Sequence, residues 1–328
     1  MIRVGIIGFG KMGRLRHETI RQNGHGHVVA IADPKESPTP LGVRRYISAD
    51  DLISDPNVEA VFICTPNYLN KPLTIQVLQA GKHVFCEKPP ALNMREVEEV
   101  MAAEKLAGKK LMYGFNHRHH DSIKKAKELI DSGVYGRILW MRGRYGKSVD
   151  QSFYSDWRAK KELAGGGIMM DQGIHMLDLF LMIADDFDDV HAFVSNLYWQ
   201  LGVEDNVFAT FRRRDGLVAS LHSTMTQWRH LFSLEIFLEK GYIVINGLLT
   251  TSGTYGEEVM SVVRNRTTAP AATWSDEEHM KFDVDNSWRY EVEHFFDAIL
   301  QNRAVSIGTS LDALRVMRLI DKIYQNGS

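Results

Sequence analysis

The chain has 328 residues, enough for about two domains. Its 44% hydrophobic and 24% charged residues suit a globular core, and a formal net charge of −2 excludes a global pull toward nucleic acid or an anionic membrane. No apolar run is read as long enough to cross a bilayer, and the N-terminus carries no signal-peptide pattern. Cys64 and Cys86 each end an apolar run, which predicts buried, reduced thiols. These features lead to the expectation of a cytoplasmic protein.

In chain order, residues 2–7, 28–32, 60–64, 83–86 and 110–113 read as short apolar strands, with helical spacing over 70–79 and 94–107. Buried strands alternating with helices predict a doubly wound parallel sheet. The pattern changes near residue 120. A helix over 122–132 ends at Gly133, and strands follow over 138–147, 190–199, 207–213, 217–225, 232–238 and 242–246. Asp215-Gly216 and Lys240-Gly241 lie between strand runs as hairpin turns should, so a large open antiparallel sheet is expected. Residues 265–287 are polar and read as a long loop. Helices over 288–300 and 311–324 close the chain, the second with a Thr309/Asp312 capping box. The expected class is α/β, with domains at 1–120 and 121–328.

The first motif is Gly8-Phe9-Gly10-Lys11-Met12-Gly13, placed between the first strand and a helix. In that setting Gly8 allows the tight turn and Gly10 lets a pyrophosphate approach the backbone. Gly13 allows close helix–strand packing, and the helix N-terminus attracts phosphate. Asp33 ends the second strand, 20 residues after Gly13, where a carboxylate accepts from ribose hydroxyls and repels a 2′-phosphate. NAD is therefore expected ahead of NADP, with Lys35 as the neighbouring cation that keeps NADP in view. Thr65-Pro66-Asn67 leaves another strand at the same sheet edge and should line the cofactor cleft.

Glu87-Lys88-Pro89 leaves the next strand at that edge, where a lysine can meet a substrate. Far along the chain, Gly165-Gly166-Gly167 leads into a helix carrying Asp171 and His175, four apart and so on one face. Oxidation of an alcohol needs a group to take the hydroxyl proton, and histidine titrates in the useful range. A carboxylate one turn away can orient it. The run His117-Arg118-His119-His120 lacks convincing ligand spacing, and no metal is expected. Trp199, Trp228, Trp274 and Trp288 are expected to be packing residues.

In this order the motifs resemble the glucose–fructose oxidoreductase/inositol dehydrogenase (Gfo/Idh/MocA) family. The matching pieces are GFGKMG at 8–13, TPN at 65–67, EKP at 87–89, GFNHR at 114–118, DWR at 156–158, and the glycine run with D-x-x-x-H at 165–175. The resemblance implies a Rossmann domain followed by an α/β domain with an open sheet. It also implies a catalytic set of Lys88, Asp171 and His175 gathered at one substrate. His175 is then the candidate base, Asp171 its partner and Lys88 a donor to the reacting oxygen, although some members give the lysine more of the proton transfer. Glu87 and Lys88 would touch the cofactor, while Asn116, Arg118, Trp157, Arg158 and His175 would face the substrate. Asn70 and His119 depart from the family's usual histidine and aromatic residue, which bears on substrate identity.

The expected activity is hydride transfer between a nicotinamide cofactor and a sugar, polyol or sugar nucleotide. Arg118 and Arg158 lean toward an anionic substrate. Two other readings are an NAD-retaining hydrolase or isomerase that oxidises its substrate transiently, and a non-catalytic NAD-binding regulator. A homodimer or homotetramer is expected through the second domain, with no nucleic-acid or membrane partner.

Overall fold

The computed structural model describes residues 1–36, 38–250, 252–266 and 268–327. The chain forms two compact units. The first comprises Met1–Asn116, Glu162–Gly165 and Ser287–Arg318, and the second comprises His117–Lys161, Gly166–Asn286 and the residues from Leu319 on.

In the first unit β1 (Ile2–Ile7), α1 (Lys11–Asn23), β2 (Gly26–Ala32), β3 (Arg44–Tyr46) and α2 (Ala49–Ser54) come first. After them come β4 (Ala60–Ile63), α3 (Asn70–Gln79), β5 (His83–Cys86), α4 (Met94–Ala107) and β6 (Leu111–Tyr113). The six strands pair in the order β3-β2-β1-β4-β5-β6, all parallel. All four residues of β4 are buried, as a strand covered on both faces requires. The short β3 and α2 carry too little apolar pattern to have been expected.

The second unit opens with α5 (Asp121–Asp131), which ends where Gly133 takes a φ of 70°. Next come β7 (Ile138–Ser148), α6 (Lys161–Ala164, mostly counted with the first unit), a π-helical turn (Met169–Gly173) and α7 (Ile174–Ala184). The remaining strands are β8 (Asp189–Ser195), β9 (Asn206–Arg212), β10 (Val218–Thr224), β11 (Thr226–Leu238), β12 (Gly241–Asn246), β13 (Glu258–Arg264) and β14 (Glu278–Phe282). They form one sheet in the order β14-β13-β12-β11-β7-β10-β9-β8.

This sheet is mixed rather than wholly antiparallel. β10 runs parallel to β7, pairing Val218 with Trp140 through Thr224 with Gly146, and the other pairs are antiparallel. Hairpin turns identify sequence neighbours, but they do not show where a strand returns after the α7 crossover. The expected 265–287 loop contains β14, a short edge strand in which only Met280 and Phe282 supply an apolar face, too brief a pattern to read as a strand. Thr267 of that loop lies outside the described residues.

The closing helices are α8 (Ser287–Leu300) and α9 (Ser310–Asn326). The division at 120/121 differs from the structure because α8 and the first half of α9 belong to the first unit. Packing gives the reason. Val292, Phe295 and Phe296 of α8 join Ile2, Val4, Ile6, Phe62 and Phe85 in one core. The Phe295 ring lies 5.6 Å from Phe62 and 5.7 Å from Phe85, while those two stack at 4.6 Å. Each such buried aromatic contributes roughly 1.5–3 kcal/mol, so a helix late in sequence is held by the first sheet. The Thr309/Asp312 capping box forms as expected, with reciprocal bonds of 2.9 and 3.1 Å.

Two further expectations are corrected. The segment Lys161–Ala184 is long and apolar enough to cross a membrane by length and composition, but it lies mostly buried inside the protein. Trp228 is exposed, and Trp274, also largely exposed, stacks on His279 with ring centres 4.5 Å apart. Trp288 does pack, with the Arg16 guanidinium 4.7 Å from its ring centre.

His83 starts β5 and accepts a hydrogen bond at Nδ1 from Lys110 N–H, 3.1 Å away. Burial, then Lys109 and Lys110, hold its pKa down at about 4. The neutral form is thus favoured on folding, so this contribution is present above the unfolded value of 6.5 and is lost as pH falls toward 4. Urea unfolding between pH 7 and pH 4.5 should show stability falling with acid, with a shallower slope in His83→Asn. Equal slopes would remove His83 from the acid response.

Candidate active site

β1 ends at Ile7, and the chain turns at Gly8 with a φ of 87°. A Cβ on Gly8 would lie 2.5 Å from the Cys64 carbonyl oxygen, so the turn presses against the end of β4. A Cβ on Gly13 would lie 2.1 Å from Gly8 O, which is the close helix–strand approach the motif implies. Gly10 is different: a Cβ there meets nothing within 4 Å. Gly10 is also the N-cap of α1, no side chain caps that terminus, and the first turn carries no acidic residue. Lys11 is exposed, Met12 half-buried and Phe9 buried. Backbone donors, helix dipole and open approach make this turn fit for a pyrophosphate.

Asp33 follows β2. Its Oδ2 accepts from Phe9 N–H at 2.7 Å and its Oδ1 from Lys35 N–H at 2.8 Å. The carboxylate therefore ties the glycine turn to the end of β2, and its remaining lone pairs can accept from hydroxyls. Arg45 on β3, which the sequence reading missed, donates to the carbonyls of Asp33 and Lys35 at 3.1 Å each.

Thr65 and Pro66 are half-buried, and buried Asn67 donates to the Ala164 carbonyl at 2.8 Å. Asn70 is wholly buried and donates to the carbonyls of Pro89 and Glu87, at 2.8 and 3.3 Å. This position, a departure from the family pattern, anchors the turn that carries Lys88. Glu87 itself is held by Arg16, an α1 residue with no exposed surface. Nε of Arg16 lies 2.6 Å from Glu87, and Nη2 lies 2.6 Å from Glu291 of α8. A Cβ on Gly114 would sit 2.9 Å from Glu87 Oε2. Half-buried Lys88 follows, with a cis bond to Pro89. Asn116 is buried, its amide 3.4 Å from the Ser287 hydroxyl.

Within the second unit α7 lies close on β7: a Cβ on Gly143 would meet Met176 Cγ at 2.5 Å. His175, 4% exposed, stacks on His117 with ring centres 3.8 Å apart and planes 19° apart. His117 Nε2 and the Tyr145 hydroxyl are hydrogen-bonded at 2.7 Å. Asp171 lies in the π-helical turn, a distortion often found at functional sites, and ion-pairs with Lys147 of β7. Arg118 binds Asp178 of α7 through two bonds of 2.7 and 2.6 Å. His120 pairs with Glu258 at 2.9 Å. Trp157 and Arg158 are half-buried, with the guanidinium 4.4 Å from the indole centre and 3.3 Å from Asp156. Each arginine thus has a carboxylate partner, which offsets the charge on which an anionic preference would rest.

The glycine run is set by a buried carboxylate. Glu204 accepts from Gly167 N–H at 2.8 Å, Met169 N–H at 3.0 Å and the Tyr324 hydroxyl at 2.8 Å. Burial pushes its pKa up, opposed by those donors. Lys147, His117, Tyr145 and Glu204 were not expected from sequence, since each lies far along the chain from the group it supports. Arg16 had a signal: with Gly13 and Ile20 it repeats on the buried side of α1.

A parallel sheet with a glycine turn, a helix start without a side-chain cap and an acidic residue after the second strand defines the dinucleotide-binding class. Residues 2–115 match the oxidoreductase family with an NAD-binding Rossmann fold (GFO/IDH/MocA), and residues 123–244 match the GFO/IDH/MocA C-terminal domain. The chain belongs to this family of oxidoreductases. It is 28% identical to myo-inositol 2-dehydrogenase of Thermotoga maritima, over 78% of this chain and 79% of the relative. Levoglucosan dehydrogenase of Pseudarthrobacter phenanthrenivorans is 30% identical over 60% of this chain and 57% of its own. A solved structure of levoglucosan dehydrogenase in complex with NADH shares the fold, with a TM-score of 0.86 and 24% identity over 99% of this chain and 96% of that one.

Because Gly10 is extended (φ −76°, ψ −152°) with open space beside it, Gly10→Val should fold normally. Its side chain would occupy the phosphate's approach, so NAD affinity should fall by about tenfold or more, a change of about 1.4 kcal/mol. Calorimetric titration together with thermal unfolding checks both halves. Unchanged affinity in a folded variant would refute the cradle.

Proposed function

We propose that the chain is an NAD(P)-dependent dehydrogenase or reductase acting on a carbinol or carbonyl of a sugar, polyol or sugar nucleotide. The observation that carries this reading is the open cradle at Gly10, backed by the Asp33 carboxylate. Relatives named for dehydrogenation of myo-inositol and levoglucosan support the substrate class. The carboxylate partners of Arg118 and Arg158 favour a neutral sugar or polyol within it.

Gly8, Phe9, Gly10, Lys11, Met12 and Gly13 would hold the cofactor pyrophosphate and Asp33 its ribose hydroxyls, with Thr65, Pro66, Asn67, Glu87 and Lys88 alongside. When bound, the nicotinamide supplies the acceptor or donor of the hydride. The protein's part is the proton. His175 takes the hydroxyl proton on a ring nitrogen during oxidation and returns it during reduction. Its stack on His117 fixes the ring direction beforehand. Asp171 balances the charge His175 gains, and Lys88 donates to the reacting oxygen. Trp157 and Arg158 contact the substrate, while Asn116 and Arg118 act through Ser287 and Asp178, which they hold.

Asp33 favours NAD over NADP, with Lys35 and Arg45 as the cations that would moderate the preference. A homodimer or homotetramer is supported by exposed Phe193, Phe208 and Val218 on one face of the second unit's sheet. Cys64 and Cys86 are free thiols, in keeping with a reducing cytoplasm.

A screen of sugars, polyols, uronates and sugar nucleotides, followed at the absorbance of reduced nicotinamide, tests the activity. Substrate conversion without net NADH change would point instead to transient oxidation with retained NAD. On the substrate found, His175→Asn and Lys88→Met should each lower turnover by about 10²-fold or more with NAD affinity kept. Near-normal turnover in both would end this assignment. Asp33→Ser should narrow the NAD preference in parallel titrations with NAD and NADP, and tighter NADP binding by the native protein would overturn the role given to Asp33.

A further inference from the structure

Asp171 has a partner that no motif marks. Lys147, near the end of β7, holds its ammonium against Asp171 Oδ2, and the two side chains are only 13% and 19% exposed. The ammonium also lies 5.2 Å from the centre of the Phe153 ring. Facing this pair are Tyr145 from β7, Tyr255 from the β12–β13 loop and His230 from β11. Burial keeps both phenols protonated, and the Asp171 charge adds to that effect. Burial and then Lys147 hold His230 below its usual pKa, on the neutral side. Tyr145 in turn bonds His117, on which His175 stacks. Among these neighbours Lys147 supplies the charge opposite to that of Asp171.

We propose that Lys147 is a positioning residue of the reaction, clamping the Asp171 carboxylate in its ionised form and in a fixed direction. The inference rests on the assignment of Asp171 and His175 to proton transfer. A cation in contact with a partly dry carboxylate favours the charged form, and its removal raises the pH at which the carboxylate ionises. The carboxylate can offset positive charge on an imidazole only when ionised, so loss of Lys147 should move the working range of the enzyme upward in pH.

The test uses full-length protein carrying ¹³C-labelled aspartate carboxyls, with Asp171→Asn to assign the resonance. In Lys147→Met the Asp171 titration midpoint should rise by about one pH unit or more, and in Lys147→Arg it should stay close to wild type. An unmoved midpoint in a folded Lys147→Met protein overturns the clamp, whatever the activity. The second readout is the pH–rate profile with NAD and the sugar or polyol that the wild type oxidises. Its acidic limb should rise in Lys147→Met and recover in Lys147→Arg, and Lys147→Met should add little once Asp171 is already Asn. A shifted midpoint with an unmoved profile would leave Lys147 a structural ion pair and overturn the role proposed for it. Normal turnover in Asp171→Asn and His175→Asn would instead defeat the catalytic assignment, while the titration still judges the clamp.

Discussion

A guanidinium removed entirely from water must be matched by charge, and in the first unit Arg16 meets that demand by joining three elements. Its two carboxylate partners come from the end of β5 and from α8, and its flat faces lie against Phe85 and Trp288. One side chain thereby fixes the helix that begins at the glycine turn, the turn that carries Lys88 and a helix from the end of the chain. Breaking such a pair from one side leaves an uncompensated buried charge, at a cost of about 3–5 kcal/mol. The carboxylate of Glu87 is engaged in this network, which fixes the backbone at the end of β5.

The second unit solves a similar problem with a different donor set. Glu204 is buried without a cation; two backbone amides and a tyrosine hydroxyl satisfy it. That arrangement sets the entry to the π-helical turn, and the turn determines where Asp171 points. The bidentate Arg118–Asp178 pair then holds α7 to the segment after β6. Histidine stacking, the Lys147–Asp171 ion pair and this pair together tie α7 and the turn before it to β7 and to the segment after β6.

The fold was largely legible because its signals are local. Residues 2–7, 70–79, 83–86 and 94–107 follow from apolar spacing and end at the glycines or polar residues that stop them. The backbone demands of the glycine motif were equally readable: Gly8 and Gly13 are crowded where a tight turn and close helix–strand packing were expected, and Gly10 stands open. What escaped were relations between residues distant in sequence. The parallel β7–β10 pair, the return of α8 to the first sheet and the Lys147–Asp171 contact depend on where the chain comes back, and periodicity carries no such information. Arg118 and Arg158 were read as charges offered to a substrate because sequence spacing does not reveal Asp178, sixty residues away, or Asp156 as ion-pair partners.

Glycine-rich stretches are often taken as mobile, but within the second unit Gly166 and Gly167 are set by crowding. A Cβ on Gly166 would lie 1.9 Å from the Tyr324 hydroxyl and one on Gly167 2.1 Å from the Glu204 carbonyl oxygen, so glycine is present there for want of room. The Gly167 amide is spent on a buried carboxylate. Its hydrogen should exchange with solvent only when the surrounding structure opens, placing this short loop among the slow-exchanging elements of the protein rather than its mobile ones.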